Sequence, residues 1–307
     1  MSATATVLAM SLGVILIGLT LRDVFDALFH HGGKAMLSRA IMRTTWWVFH
    51  RLAHMRAQAF ALAGPVALLV VVGTWAALLA LGWAFILWPH MSTGVLYANG
   101  SPPGRAGGFL DALYLSLVTL GTIGFGDITP TAGWLKIVTP LEALLGFGLL
   151  TVSVSWLLSI YPALLRRRSL AYEISLLRKA EHETGTRVDR LDAEAGGHLY
   201  AELTSRLVAV ERDFVAFPIS YYFAEPDERF SLAATMPYLL NLAERGASDS
   251  TPPSVRLRAV MLREAIEDFA LTTAELFHGR QSPSAATAVL DAYARDHLQK
   301  PLPSSPQ

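Results

Sequence analysis

The chain has 307 residues, of which 52% are apolar and only 16% charged, with a formal net charge of +0; soluble domains carry about 25% charged residues. Five acids and eight bases lie up to Leu165, against 20 acids and 17 bases from Arg166 onward, so the first half reads as membrane-embedded and the second as water-soluble. The absence of cysteine excludes disulfides, thiolate metal sites and a cysteine nucleophile, the balanced charge argues against a nucleic-acid partner, and a soluble enzyme filling the whole chain is excluded.

Thr4 to Leu21 is apolar but lacks a basic leader and an Ala-x-Ala-like cleavage site, which predicts a retained transmembrane helix running to about Phe29 within a first segment, 1–31. Asp23, Asp26 and His30 share one face of that helix. A polar helix end, paired with Arg22 or with the bases that follow, is favoured there over a metal site or proton sensor. Residues 32–58 carry Lys34, Arg39, Arg43, Arg51 and Arg56 with no acid, and Trp46, Trp47, Val48 and Phe49 lie among them. This predicts a basic interfacial helix on the cytoplasmic leaflet. The arginine spacing does not continue as a voltage sensor requires. His50 and His54 have metal-compatible spacing, but the neighbouring Arg51 and Arg56 favour lipid contact.

Ala57 to Pro89 contains no charged residue, and Ile137 to Leu165 is broken only by Glu142. Each exceeds the roughly 20 residues of a spanning helix. The basic connector and Arg166-Arg167-Arg168 belong in the cytoplasm by the positive-inside rule, which puts the N-terminus outside and makes His90 to Trp134 begin and end there. Asn99-Gly-Ser101 matches a glycosylation acceptor, discounted because nothing else indicates a secretory compartment.

Between these spans lies Phe109-Leu-Asp-Ala-Leu-Tyr-Leu-Ser-Leu-Val-Thr-Leu-Gly-Thr-Ile-Gly-Phe-Gly-Asp-Ile-Thr-Pro130. Thr119-Leu-Gly-Thr-Ile-Gly-Phe-Gly-Asp127 resembles the signature sequence of the potassium-channel pore family, bacterial two-transmembrane type, with Ile123 and Phe125 where the reference loop has Val and Tyr. The resemblance covers about a third of the chain. It implies an outer helix, a re-entrant pore helix over Phe109 to Leu120, a filter and an inner helix, within 59–165. Potassium, the permeant ion, would exchange its water for carbonyls of Thr122, Ile123, Gly124 and Phe125 and the Thr122 hydroxyl, with Gly126 closing the filter. Successive carbonyls turn one way only if the backbone alternates in handedness, and Gly124 and Gly126 accept positive φ at no steric cost. The C-terminal dipole end of the pore helix would face the cation. A plain glycine-rich turn would need neither the threonines nor this order.

Tyr114, Val118, Thr119 and Asp127 are the expected filter support. Val118 stands where some family members carry a glutamate that bonds the filter aspartate, so Tyr114 is the expected donor to Asp127. Gly146 lies where many members bend the inner helix; a hinge is favoured there over close packing. Leu150 and Val154 follow at helical spacing as cavity residues, and Pro162 is a second expected bend. Glu142 needs a partner. Lys136 is near in sequence, and bracing behind the filter and a place on the ion path both stay open.

From Ser169 on, apolar residues recur at helical spacing, through Leu170, Ile174 and Leu177, Leu199 to Phe214, Met236 to Leu242, Val255 to Phe277 and Ala285 to Leu298. This predicts an all-α domain over 166–300, with no nucleotide-binding signature, no catalytic constellation and a disordered tail over 301–307. The fold class expected is an all-α membrane protein. Its expected function is a potassium-selective channel in the plasma membrane, not an enzyme and without cofactor, made of four identical subunits in contact with lipid. The cytoplasmic domain would gate it through an unknown ligand, or else aid assembly. A less selective cation channel and a membrane sensor with a vestigial pore are the alternatives.

Overall fold

A computed structural model describes residues 2–29, 35–53, 60–98, 107–278 and 285–299. His30, His54, Asn99-Gly-Ser101 and the 301–307 tail lie outside the described residues. The chain is an all-α membrane protein. Among the described residues three helices are long and apolar enough to cross a bilayer.

The helices in chain order are α1 (Ala3–Phe29), α2 (Met36–Ala53), α3 (Ala63–Leu87), α4 (Phe109–Leu120), α5 (Leu135–Thr184), α6 (Ala193–Ala216), α7 (Leu232–Gly246), α8 (Pro253–Thr273) and α9 (Ala286–Asp296). Two three-residue strands, β1 (Val95–Tyr97) and β2 (Ile128–Pro130), pair antiparallel with Leu96 opposite Thr129. The chain separates into two compact units, 1–30 with 34–41 and 68–158, and 31–33 with 42–67 and 159–307. This division follows packing, whereas the segments expected from the sequence follow changes of charge.

In the first unit α1 crosses α3 at two glycines. A β-carbon on Gly13 would run into the Gly82 carbonyl oxygen, and one on Gly82 would lie 2.7 Å from Ile17 Cγ1. Helices in lipid gain their contact energy from such close approach, because apolar side chains are already satisfied by lipid tails. The C-terminal end of α1 is tied by Asp23. Its carboxylate, nearly buried, accepts from the Leu37 and Ser38 backbone N–H groups (3.0 and 3.2 Å), from Ser38 Oγ (2.5 Å) and from Trp75 Nε1 (3.0 Å). Asp23 therefore caps the first turn of α2, where backbone donors have no helical partner. Asp26 pairs with Arg22 at 3.7 Å. Donors thus occupy the Asp23 carboxylate, while His30, the third residue of that face, lies outside the described residues.

In the second unit, α6 to α9 and the distal part of α5 enclose Tyr200, Leu207, Phe214, Tyr238, Phe269 and Tyr293, all nearly or fully buried. Trp46, expected on the leaflet, is buried in this unit instead. Its Nε1 donates to Asp296 Oδ1 at 3.3 Å, and its ring centre lies 5.2 Å from that of His297 and 4.6 Å from Phe60. Trp47 and Val48 remain exposed, with the Arg51 guanidinium 4.9 Å from the Trp47 ring centre. An indole buries much apolar area when a partner with an acceptor is at hand. That partner is 250 residues away in sequence.

Candidate functional site

The site is the segment from α4 to β2. Its base is the start of α4, where Asp111 Oδ2 accepts from the N–H groups of Gly107 (3.1 Å) and Gly108 (3.3 Å) and from Tyr97 Oη (3.3 Å). A carboxylate at the third helical position caps the helix and suits its positive end. Burial, and then the Asp111 charge, push the Tyr97 phenol above its ordinary range, so it stays a donor. Asp111 was not singled out by the sequence reading, although Gly-Gly-Phe-Leu-Asp has the form of a cap.

At its other end α4 passes directly into the candidate filter. Gly121 N–H donates to the Leu117 carbonyl (2.9 Å) and Thr122 N–H to that of Thr119 (2.9 Å). The Val118 carbonyl accepts from both Ile123 (2.9 Å) and Gly124 (3.4 Å). The residue noted for lacking a carboxylate thus serves through its backbone. Positive φ occurs at Thr122 (54°), Gly124 (62°) and Gly126 (76°), alternating with Ile123 and Phe125. Open space surrounds the position a β-carbon would take on either glycine. Conformation, not room, is what requires glycine at 124 and 126. Thr122 is a β-branched residue held in the left-handed region, a strained arrangement the sequence reading did not anticipate.

Beyond the candidate filter, Tyr114 Oη donates to Asp127 Oδ2 at 2.7 Å, and Ala98 N–H donates to the Asp127 carbonyl at 2.9 Å. The β1–β2 ladder begins at the next residue. The short strands therefore clamp the C-terminal end of the segment, and α4 holds the N-terminal end. Ile123 and Phe125 are exposed on the single chain, at 58% and 66%. A cavity of about 550 Å³ lies alongside, lined by Tyr114, Val118, Thr122, Asp127 and Lys136 among others.

At the expected hinge the structure shows a close helix contact. Helix α5 is continuous from Leu135 to Thr184, through Gly146 and the exposed Pro162. A β-carbon on Gly146 would collide with the Leu120 carbonyl oxygen and lie 2.7 Å from its carbonyl carbon. Glycine here lets the inner helix press against the last turn of α4, which is the packing role. Leu150 and Val154 are exposed on the chain. Glu142 does not meet Lys136, which is exposed and takes part in no ion pair among the described residues. Its neighbour is Ser116 Oγ, at 2.5 Å.

Residues 74–161 match the model of a family described as "Ion channel". Over 291 residues, 89% of this chain, it is 24% identical to the "Uncharacterized membrane protein YdjJ" of Bacillus subtilis (strain 168), covering 82% of that protein. Over 46 residues, 15% of this chain, it is 48% identical to "Two-pore potassium channel 5" of Arabidopsis thaliana, covering 11% of that protein. No solved structure matches. The matched family segment contains α4, the candidate filter and the first part of α5.

Proposed function

We propose that the protein is a potassium-selective channel in which four identical chains surround one pore and each supplies one filter strand from Thr122 to Gly126. The observation that carries this reading is the alternation of positive φ at 122, 124 and 126. Such a backbone turns successive carbonyls to one side, as replacing the water shell of a dehydrated cation requires. The clamps at Val118 and Asp127 support it by holding that backbone at both ends. A single strand of carbonyls cannot enclose an ion, and cyclic symmetry is the economical way to complete the ring. The similarity to a two-pore potassium channel favours potassium as the ion. In this reading the N-terminus is outside and the domain after Arg168 is cytoplasmic, where it gates or stabilises the pore.

Purified full-length protein in liposomes tests the reading. Potassium flux with a reversal potential that follows the potassium gradient in mixed potassium and sodium is expected. A reversal potential near zero would make it a non-selective cation channel, and no flux from an assembled oligomer would refute the channel reading.

A further inference from the structure

Glu142 is the only acid of the inner span and is fully buried. Three oxygens from three helices meet there: the Ala80 carbonyl of α3, Ser116 Oγ of α4 and Glu142 Oε1 of α5. Ser116 Oγ lies 2.9 Å from the first and 2.5 Å from the second. Both are hydrogen-bond distances, yet a serine hydroxyl has one proton to give. The Ala80 carbonyl has none. If Ser116 donates to Ala80, the contact with Glu142 needs a second proton, and only the carboxyl can carry it. The opposite assignment has Ser116 donating to an ionised carboxylate. It sets two lone pairs against each other at Ala80 and leaves a charge in a membrane interior with Glu142 Oε2 lacking any hydrogen-bond partner. A neutral carboxyl bears an unpaired carbonyl oxygen far more cheaply than a carboxylate does.

We infer that Glu142 keeps its proton in the folded protein and donates it to Ser116, which donates in turn to the Ala80 carbonyl. This chain of two bonds ties the middle of α4 to both flanking spans. Ser116 lies two residues before Val118, whose carbonyl holds Ile123 and Gly124. Glu142 is therefore a positioning residue: it fixes the height of α4, and through α4 the inner end of the candidate filter. For this consequence alone, the inference rests on the channel reading.

The test uses the full chain in liposomes at neutral pH. Infrared difference spectra between the wild type and Glu142→Gln are expected to show a protonated-carboxyl C=O band that the variant lacks. Should Glu142→Gln fail to fold, wild type grown with isotope-labelled glutamate shows the same band displaced, as aspartic acid would not. Glutamine keeps a neutral donor in place, so its potassium-to-sodium flux ratio is expected within about twofold of wild type. Glu142→Leu and Ser116→Ala break the chain, and each is expected to lower that ratio about tenfold, with the double variant no worse than either single one. Absence of the band, or a glutamine variant as impaired as the leucine one, overturns the inference. If the wild type passes no potassium the channel reading fails, while the infrared band still decides the protonation.

Discussion

Replacing Gly146 with alanine separates packing from bending. The added β-carbon would lie 2.7 Å from the Leu120 carbonyl carbon and nearer still to its oxygen, against the 3.4 Å at which contacts become ordinary. Relieving the carbon contact alone takes 0.7 Å, and the nearer oxygen demands more, so the two helices must part by more than that or α4 must yield at its last turn. Overpacking costs about 1–3 kcal/mol, and a rigid backbone neighbour puts this case at the upper end. Alanine returns up to about 1 kcal/mol through its better helix propensity. A net loss of about 1–2 kcal/mol is expected, read as earlier thermal dissociation of the detergent-solubilised oligomer. Leu120 is followed at once by Gly121 and Thr122, so potassium flux is expected to fall about tenfold, the equivalent of 1.4 kcal/mol. Gly148→Ala is the control, because nothing stands within 4 Å of its β-carbon position on the chain, and it is expected to keep wild-type stability. A hinge makes the opposite forecast: Gly146→Ala would leave stability intact and alter only the open probability. That outcome would refute the close approach of α5 to α4.

Gly124→Ala places a β-carbon on a residue at φ 62° and should abolish potassium flux while the oligomer still assembles; selective conduction by this variant would show that the register of the filter is wrong. Asp23→Ala leaves the Leu37 and Ser38 backbone donors and Trp75 Nε1 without their acceptor and should cost about 2–4 kcal/mol in thermal unfolding, more than Asp23→Asn, which retains one oxygen; equal effects would mean the carboxylate is not the cap. Tyr114→Phe removes the donor to Asp127 and should lower the potassium-to-sodium flux ratio without changing assembly. A ratio unchanged within error would leave that bond no part in selectivity.

What the sequence disclosed was what local pattern determines. The apolar run and Gly108 fix α4 at Phe109 to Leu120, as expected, and the helix after Leu165 continues because no glycine or turn cluster interrupts Leu170, Ile174 and Leu177. The positive φ of Gly124 and Gly126 in the candidate filter was legible because only glycine takes that conformation freely. Thr122 was not, since nothing local announces a β-branched residue held where its neighbours force it. The β1–β2 ladder escaped because each strand has three residues and the two lie about thirty apart in sequence. Trp46 was misjudged for a related reason: an aromatic among arginines suits a leaflet, and its true surroundings come from the far end of the chain. The contact at Gly146 was not legible either, because a glycine in a helix suits a bend or a close approach alike and the neighbouring Leu120 carbonyl comes from another helix.

The three arginines after Leu165 carry a further lesson about charge. Their number alone satisfies the positive-inside rule, for which any three bases would serve. Their partners are individual. Arg166 makes a two-pronged bond to Asp213 (2.8 and 2.7 Å), Arg168 pairs with Glu225, and Arg167 donates to the Ser220 and Phe223 carbonyls at 2.7 and 2.5 Å. Arg166 and Arg168 have half-exposed side chains, at 49% and 47%, so solvent screening holds each pair to about 1 kcal/mol or less. Arg167 is 5% exposed. Its removal would leave the Phe223 carbonyl without this donor, at about 1–3 kcal/mol, and the Ser220 carbonyl with only the Phe223 N–H at 3.3 Å. The middle arginine therefore dominates the energetics of this turn, although it is indistinguishable from its neighbours in sequence. By that rule the three charges count alike, whereas the second unit depends chiefly on the shape of one. An Arg→Lys exchange at 167 would keep the first property and lose the second, because a lysine ammonium cannot span two carbonyls in the fixed geometry of a guanidinium.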